Sequence, residues 1–239
     1  MPNKMIPRII HKIFISYDSR LPEKLEPPSL KEAHESWQIL NPDYTVKYWS
    51  HGSCLHYLKN EFPDEIYYNT FNLLLPYAYK CDFFRLCLLY KEGGYYSDWK
   101  QKCLVPLDEI NNNDYEWISC LDTGNGYAKY YKCMNNGFFG TRPNHPILKT
   151  CIDKIIENVH RKYYGNSCLD PTGPFLFGNA FIQNKNEMKN YLIGNFDWGN
   201  YFSFGDVKAV EHKCDGVSKN QDWENGNNYT KMWVERRVY

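Results

Sequence analysis

A helix, a glycine pair and a short strand in the middle of the chain constrain the fold most. Apolar side chains recur at helical spacing from about residue 77 to residue 91, which predicts a helix with a buried stripe. Gly93 and Gly94 follow, and glycine tolerates the left-handed backbone that ends a helix. Residues 95–99 are then predicted to form a short strand with the Asp98 carboxylate at its C-terminal end. Ligands of open α/β sheets bind at that end, so we expect a binding site there.

Strands and helices alternate on both sides of this unit. Residues 9–15 form a continuous apolar and β-branched run, typical of a strand buried on both faces. A helical segment closed by Asn41 and Pro42 follows, and residues 44–49 alternate like a second strand. Because no linker or repeat interrupts this order, we predict one α/β domain over residues 1–239 with a central, mostly parallel sheet.

Composition excludes several classes of function. The 28 Lys and Arg residues equal the 28 Asp and Glu residues, so no net charge gathers phosphate backbones or anionic lipid. The sequence lacks the roughly 18 to 20 continuous apolar residues of a membrane span, and its start lacks the apolar segment of a signal peptide. Its 9 cysteines show no zinc-binding spacing, which favours reduced thiols. We therefore expect a cytoplasmic protein that binds neither nucleic acid nor membrane.

Three charged side chains are predicted to meet near the end of the central strand. Asp82 and Arg85 share one face of the helix, away from its apolar stripe, and Asp98 follows the next strand. A cation beside two carboxylates suits a ligand with phosphate and hydroxyl groups, because Arg pairs with phosphate oxygens and Asp accepts from hydroxyls. Spacing alone leaves a second interpretation open, in which the three form a salt bridge between helix and strand.

Residues 80–98 are the most distinctive part of the sequence. They contain Lys80-Cys81-Asp82-Phe83-Phe84-Arg85 and then Leu89-Tyr90-Lys91-Glu92-Gly93-Gly94-Tyr95-Tyr96-Ser97-Asp98. This segment resembles the sugar-binding segment, with its DXD motif, of glycosyltransferase family 32. Further motifs that resemble the family, in its order, are Ile6–Phe14, Ser36-Trp37, Asn41–Tyr44, Trp49, Asn135-Asn136-Gly137, His145-Pro146 and Thr172-Gly173-Pro174.

The resemblance implies a single-domain GT-A type fold that binds a nucleotide sugar. It also implies a retaining glycosyltransferase that moves the sugar of a UDP- or GDP-sugar to a hydroxyl of a glycan, glycolipid or protein-linked sugar. On the family pattern, Asp82 and Arg85 hold the sugar and the diphosphate, and Asp98 is the first DXD carboxylate. Further donor-binding candidates are Phe14, Tyr96, Asn136, His212 and Trp223.

Three of these candidates have an alternative role. Phe14 would stack on the donor base or pack in the core. Tyr96 would line the donor site or be a core tyrosine. His212 would touch the diphosphate or a metal, or remain a solvated loop residue.

The chain departs from the family at the second DXD position, where it reads Asp98-Trp99-Lys100. The family implies Mn²⁺ or Mg²⁺, but a lysine ammonium has no lone pair for a metal and repels the ion. Three outcomes stay open. Lys100 replaces the metal at the diphosphate, or Asp98 and His212 hold a weakened metal site, or the protein binds sugar or nucleotide without catalysis.

The primary hypothesis is a transferase with mostly electrostatic catalysis. Asp82, Arg85, Asp98 and Lys100 would form the catalytic group, and the leaving phosphate would take the acceptor proton. The alternative is a catalytically silent sugar- or nucleotide-binding protein. Because the family's usual N-terminal anchor is missing, we expect the cytoplasm of a prokaryote or of a virus-infected cell.

Overall fold

The computed structural model describes residues 5–17, 19–123, 133–197, 200–214 and 226–239. The strands are β1 (Ile9–Phe14), β2 (Thr45–Ser50), β3 (Gly94–Ser97), β4 (Lys102–Cys103), β5 (Trp117–Asp122), β6 (Met134–Thr141), β7 (Tyr191–Phe196), β8 (Tyr201–Phe204) and β9 (Val207–Glu211). The helices are α1 (Pro28–Leu40), α2 (His51–Glu61), α3 (Glu65–Leu73), α4 (Tyr77–Glu92), α5 (Leu107–Ile110), α6 (Pro146–His160), α7 (Pro174–Asn184) and α8 (Tyr229–Val234). Among these helices, none is long and apolar enough to cross a membrane.

The described strands form one 9-stranded sheet in the order β2-β1-β3-β6-β5-β7-β8-β9-β4. β1 runs parallel to β2 and β3, and β5 runs parallel to β7. The other neighbouring pairs are antiparallel. The α/β class is therefore confirmed, but the prediction of a mostly parallel sheet is wrong. Short connections such as those from β7 to β8 and from β8 to β9 permit only antiparallel pairing, because a parallel neighbour needs a crossover of about a dozen residues or more.

The sheet is buried on both faces. Neighbouring residues of β3, Tyr95 and Tyr96, belong to different apolar clusters, and so do Phe138 and Phe139 of β6. Because successive side chains of a strand point to opposite faces, the two clusters lie on opposite sides of the sheet. The cluster around Tyr96 includes apolar residues of α2, α3, α4, α6 and α7.

The unit formed by α4 and β3 follows the sequence prediction closely. α4 ends at Glu92, Gly93 has φ 66°, and Gly94 has φ 96°. A Cβ atom on Gly94 would lie 2.6 Å from the carbonyl oxygen of Ile9. Glycine is therefore required both for the backbone turn and for the close approach of β3 to β1. This geometry fixes where α4 stands relative to the end of β3.

Candidate active site

α4 and β3 bring three charged side chains together at the C-terminal end of β3. The Nη2 atom of Arg85 lies 3.3 Å from Oδ1 of Asp82 and 3.5 Å from Oδ1 of Asp98. The side chains of Arg85 and Asp82 are 6% and 12% exposed, whereas that of Asp98 is 36% exposed. The predicted convergence is therefore confirmed, and it includes the ion pairs of the second interpretation. Asp98 is the member of the group that is most open to solvent.

The Arg85 guanidinium is fixed by its neighbours. Its Nη1 atom donates to the Asn136 carbonyl at 2.6 Å, and its Nε atom donates to the Cys81 carbonyl at 3.2 Å. Its Cζ atom lies 4.2 Å from the centre of the Tyr96 ring, within cation–π range. The result is a rigid planar cation beside two carboxylates, a geometry that matches phosphate oxygens.

Two side chains orient the Asp82 carboxylate. Asn136 Nδ2 donates to Oδ1 at 2.9 Å, and Thr172 Oγ1 donates to Oδ2 at 2.7 Å. Burial raises the pKa of Asp82 to about 6, although the Arg85 charge opposes that shift. Asp82 is therefore a buried anion at neutral pH that becomes protonated in mildly acidic solution.

The motifs did not predict that the Asn136 and Thr172 side chains both bind the Asp82 carboxylate. Asn136 is 7% exposed, and its described contacts join Asp82 to Arg85. Thr172 is 1% exposed and belongs to the Thr-Gly-Pro turn before α7. The sequence marked both as motif residues, but it gave no sign that the two hold the same carboxylate.

The Asp98 carboxylate has a buried phenol beside it. Tyr96 is 1% exposed, and its hydroxyl donates to Oδ1 of Asp98 at 2.7 Å. The ring of Tyr96 is thus in the core while its hydroxyl lies in the site. On the other side, a Cβ atom added to Gly137 would stand 2.6 Å from Oδ2 of Asp98. The absence of a side chain at residue 137 gives that carboxylate its room.

Lys100 lies in a turn that directly follows Asp98. The Gln101 amide donates to the Asp98 carbonyl at 3.1 Å and closes the turn. The Lys100 carbonyl accepts from the Cys214 amide at 3.0 Å, so the turn is tied to the segment after β9. Lys100 is half-buried. The second DXD position is therefore an ordered part of the site.

His212 is held against two aromatic rings. Its ring centre lies 4.9 Å from that of Phe196 and 5.9 Å from that of Phe202. Burial lowers the pKa of His212, while the Asp98 charge opposes this shift. Its Nδ1 atom is buried and has no hydrogen-bond partner among the described residues. The solvated-loop interpretation is therefore wrong for His212, whereas Trp223 lies outside the described residues.

Phe14 ends β1 and is half-buried. Its ring centre is 4.9 Å from that of Trp99, the middle residue of the DXD-like triplet. Trp99 in turn packs edge-on against His34 at 4.3 Å and Tyr48 at 5.9 Å. This aromatic group lies beside the turn of Asp98 and Lys100, and Phe14 keeps part of its surface open.

The described residues do not fit a divalent metal. In the described part of the chain, no group of three or more His, Cys, Asp or Glu side chains stands close enough to hold an ion. Asp98 Oδ1 already accepts from Tyr96 and faces Arg85, and Lys100 adds a second cation to the turn. Mn²⁺ and Mg²⁺ need several oxygen ligands, and one carboxylate with an imidazole does not supply them.

Sequence comparison relates this site to known glycosyltransferases. Residues 27–117 match the family model described as "Glycosyltransferase sugar-binding region containing DXD motif". An uncharacterized glycosyltransferase of Acanthamoeba polyphaga mimivirus is 29% identical over 180 residues, which cover 75% of this chain and 66% of that protein. The initiation-specific alpha-1,6-mannosyltransferase of Saccharomyces cerevisiae is 30% identical over 99 residues, or 41% of this chain and 21% of that enzyme. The chain thus spans less than two thirds of either relative.

Comparison with solved structures shows that the fold is similar to that of a glycosyltransferase. The PaToxG glycosyltransferase superposes with a TM-score of 0.54 at 19% identity, covering 75% of this chain and 69% of that chain. The fold is GT-A-like, and residues 27–117 match a glycosyltransferase sugar-binding region. Residues 27–117 thus carry a DXD-type glycosyltransferase sugar-binding region, and similarity to a glycosyltransferase extends over 75% of the chain.

Proposed function

We propose that this chain, acting as one domain over residues 1–239, is a retaining glycosyltransferase. It moves a sugar from a UDP- or GDP-sugar to a hydroxyl of a glycan, a glycolipid or a protein-linked sugar. The observation that carries the proposal is the Arg85 guanidinium, fixed between Asp82 and Asp98 at the end of β3. We also propose that it acts in the cytoplasm, and the similar viral glycosyltransferase supports a viral context.

Arg85 and Asp82 divide the recognition of the donor. The guanidinium pairs with a phosphate oxygen, and the Asp82 carboxylate accepts from a sugar hydroxyl. Asp82 Oδ1 accepts from Asn136 and also faces Nη2 of Arg85, and Oδ2 accepts from Thr172. A carboxylate offers about four lone-pair positions, so capacity for a sugar hydroxyl remains.

The transfer step needs no separate enzymatic base. The acceptor oxygen forms a bond to the anomeric carbon on the face from which the diphosphate leaves. The bond between that carbon and the phosphate oxygen breaks, its electron pair stays with the diphosphate, and the leaving phosphate takes the acceptor proton. Arg85 and Lys100 stabilise the charge that develops on the diphosphate, and such stabilisation is commonly the largest part of catalysis.

Two further groups extend the donor site. The exposed part of Phe14, backed by Trp99, stacks on the nucleobase, because aromatic rings pack against bases without sequence preference. His212 lies within the electrostatic influence of Asp98, and its lowered pKa favours a neutral imidazole that can hydrogen-bond to the donor. Trp223 remains a predicted donor contact outside the described residues.

The charge at the diphosphate distinguishes this chain from a usual DXD enzyme. Glycosyltransferases with the motif typically use a divalent metal. Here Lys100 occupies the second motif position, and we propose that its ammonium and Arg85 take over the neutralisation of the diphosphate. Asp98 then accepts from the donor or orients Arg85 without binding an ion.

A panel of UDP- and GDP-sugars tests the function. We expect one donor to raise the melting temperature of the protein and to be slowly hydrolysed without acceptor. Proton NMR of the first product formed with an acceptor should show the donor's anomeric configuration retained. Binding without turnover would favour the silent alternative, and the opposite anomer would overturn the retaining mechanism.

Replacing Gly137 with alanine should weaken donor binding and leave the fold intact. The added Cβ would lie 2.6 Å from Oδ2 of Asp98 and 3.0 Å from Oδ1 of Asn135, so the Asp98 carboxylate must move. We expect a loss of about tenfold in donor affinity, the size of one charged hydrogen bond, measured by calorimetry. Gly52→Ala is the control, because its Cβ would meet no atom nearer than 3.4 Å. Equal affinities for the two variants would contradict the position assigned to Asp98.

A further inference from the structure

We propose that Lys12 is a positioning residue of the donor site, whose buried ammonium holds the turn from Asp98 to Gln101 in its donor-binding shape. This inference rests on the proposed function. Lys12 lies on β1, whereas the turn follows β3, and the two meet through a hydrogen bond from the Lys12 ammonium to the Asp98 carbonyl. Lys12 lies within the apolar run that the sequence marked as a buried strand, which is why sequence reasoning missed it.

The contacts of the Lys12 ammonium converge on one short segment. Its Nζ atom donates to Ser97 Oγ at 3.0 Å and to the Asp98 carbonyl at 2.9 Å. A longer contact of 3.5 Å reaches the Gln101 carbonyl. All three acceptors lie between the last residue of β3 and the end of the turn. The ammonium also lies 4.9 Å from the centre of the Trp37 ring.

Two other buried side chains, Gln101 and Trp37, also form hydrogen bonds that hold this turn. The Gln101 side chain accepts from Ser97 Oγ at 2.9 Å and from the Asp98 amide at 3.2 Å. The Trp37 indole donates to the Gln101 carbonyl at 2.8 Å. Both ends of the turn are therefore tied to the sheet and to α1 by side chains with little or no exposure. The turn carries Asp98 and Lys100, so its shape determines where the two charges stand.

Packing alone does not account for a lysine at this position. Lys12 is 0% exposed, as is Ile10 on the same strand, and burial of an ammonium is costly unless it is paired. Among the described residues, Lys12 forms no salt bridge; its hydrogen bonds go to a hydroxyl and to carbonyls. Burial lowers the pKa of Lys12 to about 7, and the Asp98 charge opposes this shift. The negative charge of a diphosphate bound at the turn would further favour the charged ammonium.

Two substitutions separate positioning from packing. Lys12→Met fills a similar volume and loses both the charge and the hydrogen bonds. Lys12→Gln keeps an N–H donor for the Ser97 hydroxyl or the Asp98 carbonyl. We expect Lys12→Met to raise the KM for the donor and its dissociation constant by about tenfold or more, with a smaller rise for Lys12→Gln. Lys149→Met, at an exposed ion pair with Asp153, is the matched control.

The measurements are made well below the melting temperature of each variant, with the folded fraction determined separately. A lower melting temperature with an unchanged KM and dissociation constant would make Lys12 purely structural and overturn the inference. If Lys12→Met does not fold, the KM of Lys12→Gln decides. Absence of donor binding by the wild-type protein would overturn the proposed function as well, so the two failures are distinguishable.

Discussion

Arg85→Ala should lower kcat/KM for the donor by about 10²- to 10³-fold, the usual cost of losing one group that stabilises developing charge. Arg85 is the cation that both site carboxylates face, and its guanidinium is held by the Asn136 carbonyl and the Tyr96 ring. Without it, the leaving diphosphate loses its fixed partner. The rate is measured as donor hydrolysis and as transfer to an acceptor.

A second variant and a control make the Arg85 result interpretable. Arg85→Lys keeps the charge but loses the planar fork, so we expect most of the loss to remain. Arg161→Ala removes an exposed arginine that pairs with Glu157 on α6, and it should leave the rate unchanged. Full activity in Arg85→Ala with a normal melting temperature would remove Arg85 from the site.

Asp82→Asn should lower kcat/KM by about 10²-fold, because an amide removes the charge that strengthens hydrogen bonds from sugar hydroxyls. Burial raises the pKa of Asp82 to about 6, so the wild-type carboxylate is ionised at pH 7.5 and protonated at about pH 5. The wild-type rate should therefore fall as the pH drops through 6. The residual rate of Asp82→Asn should not follow this profile.

Stability gives an independent check on the same residue. An acid whose pKa is raised on folding binds more protons in the folded state, so its ionisation opposes folding as the pH rises past its folded pKa. Asp82→Asn should therefore melt at or above the wild-type temperature at pH 7.5 while losing activity. Asp153→Asn, on the surface of α6, is the control. A large drop in melting temperature with unchanged kcat/KM would make Asp82 structural.

The sequence was most informative where the signal is local. Helical spacing, the Gly93-Gly94 pair and the strand that follows predicted α4, β3 and the meeting of Asp82, Arg85 and Asp98. Each of these features depends on neighbours within one or two turns of the chain. Strand order and direction depend on which distant strands pair, and the prediction of a mostly parallel sheet failed for that reason.

The residues that hold the site in place could not be predicted from the sequence, because their contacts are also distant along the chain. Lys12 meets Ser97 and Asp98 across more than 80 residues of chain, and Thr172 meets Asp82 across 90. Nothing in the local sequence of Lys12 or Thr172 indicates its partner. The family resemblance marked Asn136 and Gly137, but only the geometry separates an amide that orients Asp82 from a glycine that makes room for Asp98.

Metal dependence tests the central claim most directly. The claim is a donor site in which Lys100 stands at the second position of the DXD motif. The measurement is the initial rate of donor hydrolysis in EDTA and in Mn²⁺, for the wild-type protein and for Lys100→Asp, which restores the motif. We predict equal wild-type rates in both conditions, and a Lys100→Asp rate that is low in EDTA and rises with Mn²⁺. A wild-type rate abolished by EDTA and restored by Mn²⁺ would contradict the account.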